Sequence, residues 1–386
     1  MSFGIYVHIP YCVQRCHYCD FATFTREQAP PMSQYLQWIL TEIRSRHGGI
    51  PKSTVTSIYF GGGTPSLFPP EYILSIVSEL ANVGFRFDHE IEITIEINPA
   101  TITEETLDIY KKGGVNRYSV GAQSFNDRLL ESCGRIHSAD DTRNTLQLLT
   151  DNHLNFSFDL LFALPGQSLE DLRVDLNEVA LFSPPHLSTY CLTVPSGHPM
   201  SKGRPLEDHQ IQMFAEIESH LGQIGLHKYE ISNFSKPGQQ SRHNWLYWTN
   251  QPYWGIGLSA HSYLPHSGNG VRFWNPPTFH GYQAQISCDI DEWGYMCLPE
   301  NQYEELSERE AAIDYCYTHL RTSHGIAEST LLGRFSQALI DPVFQQLQQL
   351  QQEGLVIYKP DSGHWRLTPQ GEMVNNQVLS QIVMAI

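Results

Sequence analysis

The sequence predicts an α/β fold: a partial (β/α)6 barrel over residues 1-230, an aromatic-rich extension over 231-300, and a C-terminal, mostly helical, winged-helix-like domain over 301-386. Three observations predict it. Short apolar runs alternate with helix-period segments from residue 5 to about 230, the pattern of parallel strands joined by helical crossovers. Six such runs are too few for a closed eight-stranded barrel, so the sheet is expected to be open or partial. Near the end, a helix runs into a short hairpin, the outline of a small winged helix.

In order, the predicted strands are 5–9, 55–60, 91–97, 117–121, 156–162 and 187–192, and the helices between them 34–46, 72–82, 104–112, 140–152 and 169–181. Ligands of such folds gather at the C-terminal ends of the strands, so polar residues there are candidate site residues. From about 205 to 285 the pattern changes to aromatic segments punctuated by Gly, Pro and Asn. From Ser307 the chain reads as helical and closes with a Gln-rich helix at 344–353, an apolar run at 354–358, a turn at Asp361-Ser362-Gly363, and Trp365-Arg366-Leu367.

At 386 residues the chain exceeds one ordinary domain. Its formal charge of −17, from 41 acidic against 24 basic residues, argues against a nucleic-acid partner, whose phosphates need Lys and Arg. That balance also makes DNA binding the weaker reading of the winged-helix tail. No run approaches the about 20 apolar residues of a membrane span, and the start has no basic n-region, so the expected location is cytoplasmic. Three of eight cysteines fall within eight residues and five are scattered; the cluster reads as metal chemistry and the others as inert buried thiols.

Cys12, Cys16 and Cys19 form CxxxCxxC. Three thiolates on one tight loop can hold three irons of a 4Fe-4S cubane and leave the fourth iron without a protein ligand. The alternative is zinc with His8 or His17 as fourth ligand, and with it a zinc-stabilised winged-helix regulator. Zinc ribbons carry paired CxxC knuckles, and no second pair exists here. Gly61-Gly62-Gly63-Thr64-Pro65 follows the second strand, where glycines let backbone approach a ligand. Glu96 ends the third strand, Gln123 follows the fourth, Asp159 lies in the fifth, and Arg135 sits in a turn after a short helix.

This loop after strand one, with aromatic Tyr18 before the last Cys and the glycine run after strand two, resembles the radical S-adenosylmethionine superfamily. The resemblance implies that Gly62, Gly63 and Thr64 hold the methionine amino group. It implies that Arg135 pairs its carboxylate, that Glu96, Gln123 and Asp159 contact amino, ribose or carboxylate groups, and that Tyr6 packs beside the ligand. Within the superfamily, YVHIPYC at 6–12, DLLFALPGQ at 159–167 and YEISNF at 229–234 resemble oxygen-independent coproporphyrinogen III oxidase and the HemW heme chaperones. The oxidases carry one more Cys two residues after the third, where Phe21 stands here, and a longer N-terminal arm, whereas eleven residues precede Cys12. Both departures speak against porphyrinogen decarboxylation.

Residues 243–248, His-Asn-Trp-Leu-Tyr-Trp, contain the HNxxYW motif that the resemblance associates with heme. A neutral imidazole can ligate iron, and flat rings can cover a porphyrin. His243 is therefore a candidate heme-iron ligand, with His261 as the second; the sequence leaves the choice open. The expected function is a heme chaperone that delivers heme to acceptor hemoproteins such as respiratory enzymes. The resemblance adds peripheral membrane association and a homodimer. The alternative is a radical enzyme acting on a porphyrinogen or on heme.

Overall fold

The six apolar runs become six adjacent parallel strands: β1 (Phe3–Ile9), β2 (Val55–Gly62), β3 (Phe87–Ile97), β4 (Arg117–Gln123), β5 (Asn155–Phe162) and β6 (His186–Cys191). The computed structural model describes residues 2–265, 268–287 and 299–386. The crossover helices are α1 (Met32–Arg46), α2 (Pro70–Asn82), α3 (Glu104–Lys112), a short α4 (Asp127–Ser132) with α5 (Ala139–Asp151), and α6 (Leu169–Phe182). Ser138 and Ser168 start α5 and α6 with capping boxes closed by Asp141 and Asp171, the reciprocal pairing that satisfies backbone donors at a helix start. Six of the seven β1 residues are buried, as expected of a parallel strand covered on both faces.

The sheet is larger than the sequence suggests. It continues through β7 (His227–Lys228), β8 (Asn233–Ser235), β9 (Tyr253–Ile256), β10 (His261–Leu264), β11 (Val271–Trp274) and β12 (Tyr303–Glu305). Strand order is β12-β11-β10-β9-β1-β2-β3-β4-β5-β6-β8-β7, open at both edges. β9 extends the sheet parallel to β1, and β10 to β12 follow antiparallel. The aromatic-rich stretch also contains α7 (Glu207–Gln223), α8 (Arg242–Trp248) and α9 (Phe279–Ile286). Met213, Ile217 and Leu221 of α7 recur every four residues and are buried, a helical signal that the surrounding Gly and Pro obscured.

One buried carboxylate clasps this extension to the barrel. Glu42 on α1 is fully buried and accepts from Arg46 at 2.8 Å, Gly257 N at 2.8 Å, Asn275 Nδ2 at 2.7 Å and Tyr282 Oη at 2.6 Å. Four donors compensate the loss of water that a buried charge requires. Beside it, Tyr35 Oη donates to His8 O at 2.9 Å and accepts from Leu258 N at 3.0 Å.

The C-terminal unit has its own apolar core. It comprises α10 (Glu308–His319), β13 (Ile326–Ala327), α11 (Glu328–Arg334), α12 (Gln337–Gln352), β14 (Val356–Lys359), β15 (His364–Leu367), α13 (Pro369–Met373) and α14 (Asn375–Ala385). The three short strands pair in the order β13-β15-β14, with β15 antiparallel to both neighbours, so the hairpin is the wing of a winged helix. α12 starts at Gln337, seven residues before the Gln-rich stretch: burial of Ile340 and Val343 carries the helix through Pro342, which reads in sequence as a helix breaker. Among the described residues no helix is long and apolar enough to cross a membrane. Of the scattered cysteines, Cys133 and Cys316 are buried, Cys191 is exposed, and Cys288 and Cys297 lie outside the described residues.

Candidate cofactor site

The cysteine loop leaves the C-terminal end of β1 and is held from three sides. Tyr11–Cys12 pairs with Phe24–Thr25, so the loop returns to its own start. His8 in β1 bonds Ala22 O through Nε2 at 3.0 Å and Tyr6 Oη through Nδ1 at 3.0 Å. A carbonyl only accepts, so Nε2 carries the proton and Tyr6 donates to Nδ1. Burial pushes the His8 pKa down to about 4, which keeps the ring neutral in this role. On the far side, His17 N donates to Cys133 O at 2.9 Å and Gln14 Nε2 donates to Gly134 O at 3.1 Å.

The glycine run supplies the third wall. Gly62 has φ of +115°, a left-handed conformation that favours glycine. A Cβ at Gly63 would lie 2.6 Å from Tyr11 O, so the run lets two backbones touch. Gly63 N donates to Ile9 O and Thr64 N to Tyr11 O, both at 2.8 Å, and Gly62 N donates to Glu96 Oε2 at 3.1 Å. These three N–H donors are taken, so what the turn can offer an ammonium group is carbonyl oxygen.

A cavity of about 400 Å³ opens between these walls, within the about 300–1,000 Å³ of small-molecule sites. It is lined by Cys12, Cys16, Cys19, Tyr18, Gly62, Gly63, Thr64, Glu96, Gln123, Arg135 and Asp159. Each thiol has a donor within reach: Thr64 Oγ1 at 3.8 Å from Cys12, Arg135 Nη1 at 3.4 Å from Cys16, and Thr23 Oγ1 at 3.9 Å from Cys19. Asn98, Ser119 and Tyr190 also line it and were missed from sequence. Asn98 lies two residues past Glu96, at the strand end where the general rule would have found it.

The electrostatics suit a zwitterionic ligand. Burial raises the Glu96 pKa to about 7, although Tyr59 Oη donates to it at 2.8 Å. Burial likewise raises Asp159 to about 6, against the pull of Ser188, Arg117 and Arg135. Both carboxyls would regain a stable negative charge beside a bound cation. Arg135 donates to Gly121 O at 2.7 Å and to Asn98 Oδ1, yet its Nε is buried with no partner among the described residues. Such a donor is available to an anion. Gln123 adopts φ of +67° at a bulge between β4 and β5, a conformation that costs on the order of 1–3 kcal/mol and concentrates at functional sites.

The residues present fit a 4Fe-4S cluster with S-adenosylmethionine beside it. Among the described residues no three His, Cys, Asp or Glu side chains converge tightly enough for one metal ion, as zinc requires. A cubane instead takes one thiolate at each of three separate irons. His8 is also committed on both ring nitrogens.

Two predicted site residues lie elsewhere. Tyr6 and His243 line an adjoining space of about 180 Å³ with Tyr59 and Tyr247, sharing Glu96, Ser119, Asp159 and Tyr190 with the larger cavity. His243 sits at the start of α8, 2 % exposed, with Nδ1 bonded to Ser57 Oγ at 2.9 Å and Nε2 to Tyr247 Oη at 2.8 Å. Its ring stacks on Tyr59 at 5.2 Å, and burial drives its pKa down to about 3. Both ring nitrogens are therefore occupied, in a space smaller than small-molecule sites generally are. His261 is exposed and stacks on Trp274 at 5.6 Å.

Comparison with known proteins gives the family and the fold. Residues 6–179 match the Radical SAM superfamily. The heme chaperone HemW of Bacillus subtilis is 32% identical over 382 residues, 97% of this chain and 97% of its own length. HemW of Synechocystis is 37% identical over 309 residues, covering 76% of this chain and 72% of that protein. Among solved structures, the Escherichia coli coproporphyrinogen III oxidase HemN superposes with a TM-score of 0.82 over 100% of this chain and 91% of that one, at 20% identity. That last likeness speaks to the fold alone.

Proposed function

Because this chain belongs to the HemW heme-chaperone family within the radical SAM superfamily, we propose that it binds heme and hands it to acceptor hemoproteins. We also propose that it carries a 4Fe-4S cluster on Cys12, Cys16 and Cys19, with S-adenosylmethionine beside it. The full-length similarity to HemW, 97% of both chains, carries the reading. Phe21 supports it: an exposed side chain on the rim of the cluster cavity stands where the oxidases have a further cysteine.

A cluster held there would offer one open iron to the amino and carboxylate groups of S-adenosylmethionine and one electron to its sulfonium. The chain's own part is positional. Gly62 and Gly63 bring backbone to the ligand, Glu96 and Asp159 take its positive end, and Arg135 Nε takes its carboxylate. In this reading residues 1-230 hold the cluster, 231-300 and 301-386 serve heme, and the protein works in the cytoplasm. Delivery to respiratory enzymes at the membrane and a homodimer extend the proposal on the family resemblance.

The test is transfer. Heme-loaded protein mixed with an apo-hemoprotein should yield the holo form, while anaerobic reduction with S-adenosylmethionine and coproporphyrinogen should give no stoichiometric porphyrin product. Porphyrinogen turnover without heme transfer would replace this reading with a radical oxidoreductase.

A further inference from the structure

α8 presents the aromatic motif to two different spaces. His243, Asn244 and Tyr247 line the small space beside the cluster cavity, whereas Trp245 lines a groove of about 510 Å³ between the sheet extension and the C-terminal unit. That groove shares no lining residue with the cluster cavity. Its walls are tied together by Thr318 Oγ1 donating to Asn250 Oδ1 at 3.0 Å and by Arg334 Nη2 donating to Asn269 O at 3.3 Å.

Three imidazoles line it: His319, His324 and His364. His319 Nδ1 lies 3.0 Å from Tyr315 O; a carbonyl only accepts, so the proton sits on Nδ1 and the Nε2 lone pair is free. The Nε2 atom has no partner among the described residues. This arrangement, one N–H fixed on a carbonyl and the other nitrogen bare, is how proteins orient metal-ligating histidines. His364 repeats it with Ser362 O at 2.5 Å. His324 has no hydrogen bond at either ring nitrogen among the described residues and stands edge-on to Trp245 at 4.9 Å.

We propose that this groove is the heme seat, with His319 Nε2 as the iron ligand, Trp245 and His324 as a wall for the porphyrin face, and Arg334 facing a propionate. The inference rests on the heme-binding reading above. It departs from the sequence expectation, which placed the iron on His243 or His261. A planar aromatic wall, a guanidinium and a bare imidazole nitrogen in one groove are the chemistry a metalloporphyrin asks for.

The test is an anaerobic hemin titration of wild type, His319→Ala, His324→Ala, His243→Ala and His261→Ala, read by absorption and low-temperature EPR, with circular dichroism confirming the fold. Wild type should bind with a histidine-ligated spectrum. His319→Ala should lose that signature, and His324→Ala should weaken binding by about tenfold or more. Folded His243→Ala and His261→Ala should keep both signature and affinity. If His319→Ala is misfolded, His324→Ala and the spectrum of His319→Gln decide. Wild-type behaviour of both groove variants, with loss in His243→Ala or His261→Ala, overturns the groove and leaves the heme-binding reading standing. No binding by wild type overturns both.

Discussion

Replacing Gly63 by Ala should expel the cluster without unfolding the barrel. The added Cβ would lie 2.6 Å from Tyr11 O, 2.9 Å from Pro10 C and 3.0 Å from Ile9 O. All three atoms are backbone, so no side-chain rotation relieves the contact. Ordinary C···O contacts are about 3.3–3.6 Å, so the end of β2 and the cysteine loop must part by about 0.7 Å. That movement stretches the bonds from Gly63 N to Ile9 O and Thr64 N to Tyr11 O, now both 2.8 Å, past the range of a good hydrogen bond. Overpacking costs about 1–3 kcal/mol, and weakening two hydrogen bonds adds about 1 kcal/mol each. Cys12 begins one residue after Tyr11, so it moves with the loop. Iron and sulfide assays after anaerobic reconstitution should show most of the cluster lost, and thermal unfolding should fall by several degrees. Gly48→Ala, which meets nothing within 4 Å, should match wild type on both. A Gly63→Ala protein with full iron, full sulfide and wild-type Tm would refute the close-packing argument.

Glu42→Ala should destabilise by about 3–5 kcal/mol in urea unfolding, because it strands the buried Arg46 guanidinium; Glu42→Leu should be milder than Glu42→Ala if packing rather than charge dominates. Tyr35→Phe should cost about 1–3 kcal/mol by the same measurement, since Leu258 N loses its acceptor in the core. Glu96 holds its proton more tightly folded, with a pKa near 7 against the usual 4.5. Its contribution is therefore intact below pH 4.5 and is lost as pH rises toward 7. Glu96→Gln should keep a constant offset from wild type at low pH and gain relative stability between those values; parallel Tm curves would contradict the assigned shift. Cys16→Ser should lose the cluster while the apoprotein keeps wild-type circular dichroism and Tm, because Cys16 is only partly buried and its thiol accepts from Arg135 alone among the described residues.

The parallel half of the fold was legible because it obeys one rule. All six predicted strands and their five helices are present, with ends displaced by a few residues, since continuous apolar runs mark the strands locally and side-chain caps at Thr103, Ser138 and Ser168 mark three of the helices. The extension was not legible. β9 to β11 are four residues each, too short for an alternation to declare itself, and the pairing of β9 with β1, on which the others build, joins residues more than two hundred positions apart. The cysteine loop was found by its spacing, the glycine run, Glu96 and Gln123 by position at strand ends, and Asp159 and Arg135 by resemblance, and the structure gathers them around one cavity. Tyr6 was assigned beside the cluster ligand by resemblance and His243 to heme by motif, and both line the adjoining space. Which face of α8 a motif residue occupies depends on helix rotation against β2, and no sequence spacing encodes that. The groove histidines were invisible for a related reason: they come from α10, a loop and β15 and meet only after the C-terminal unit docks.

The most direct test of the account is to purify the protein anaerobically, quantify metal and sulfide, reduce it, and record EPR spectra with and without S-adenosylmethionine. The account predicts about four iron and four sulfide per chain, both lost in Cys16→Ser, and a reduced-cluster signal that changes shape when S-adenosylmethionine is added. One zinc per chain without sulfide, or a cluster signal indifferent to S-adenosylmethionine, would contradict it.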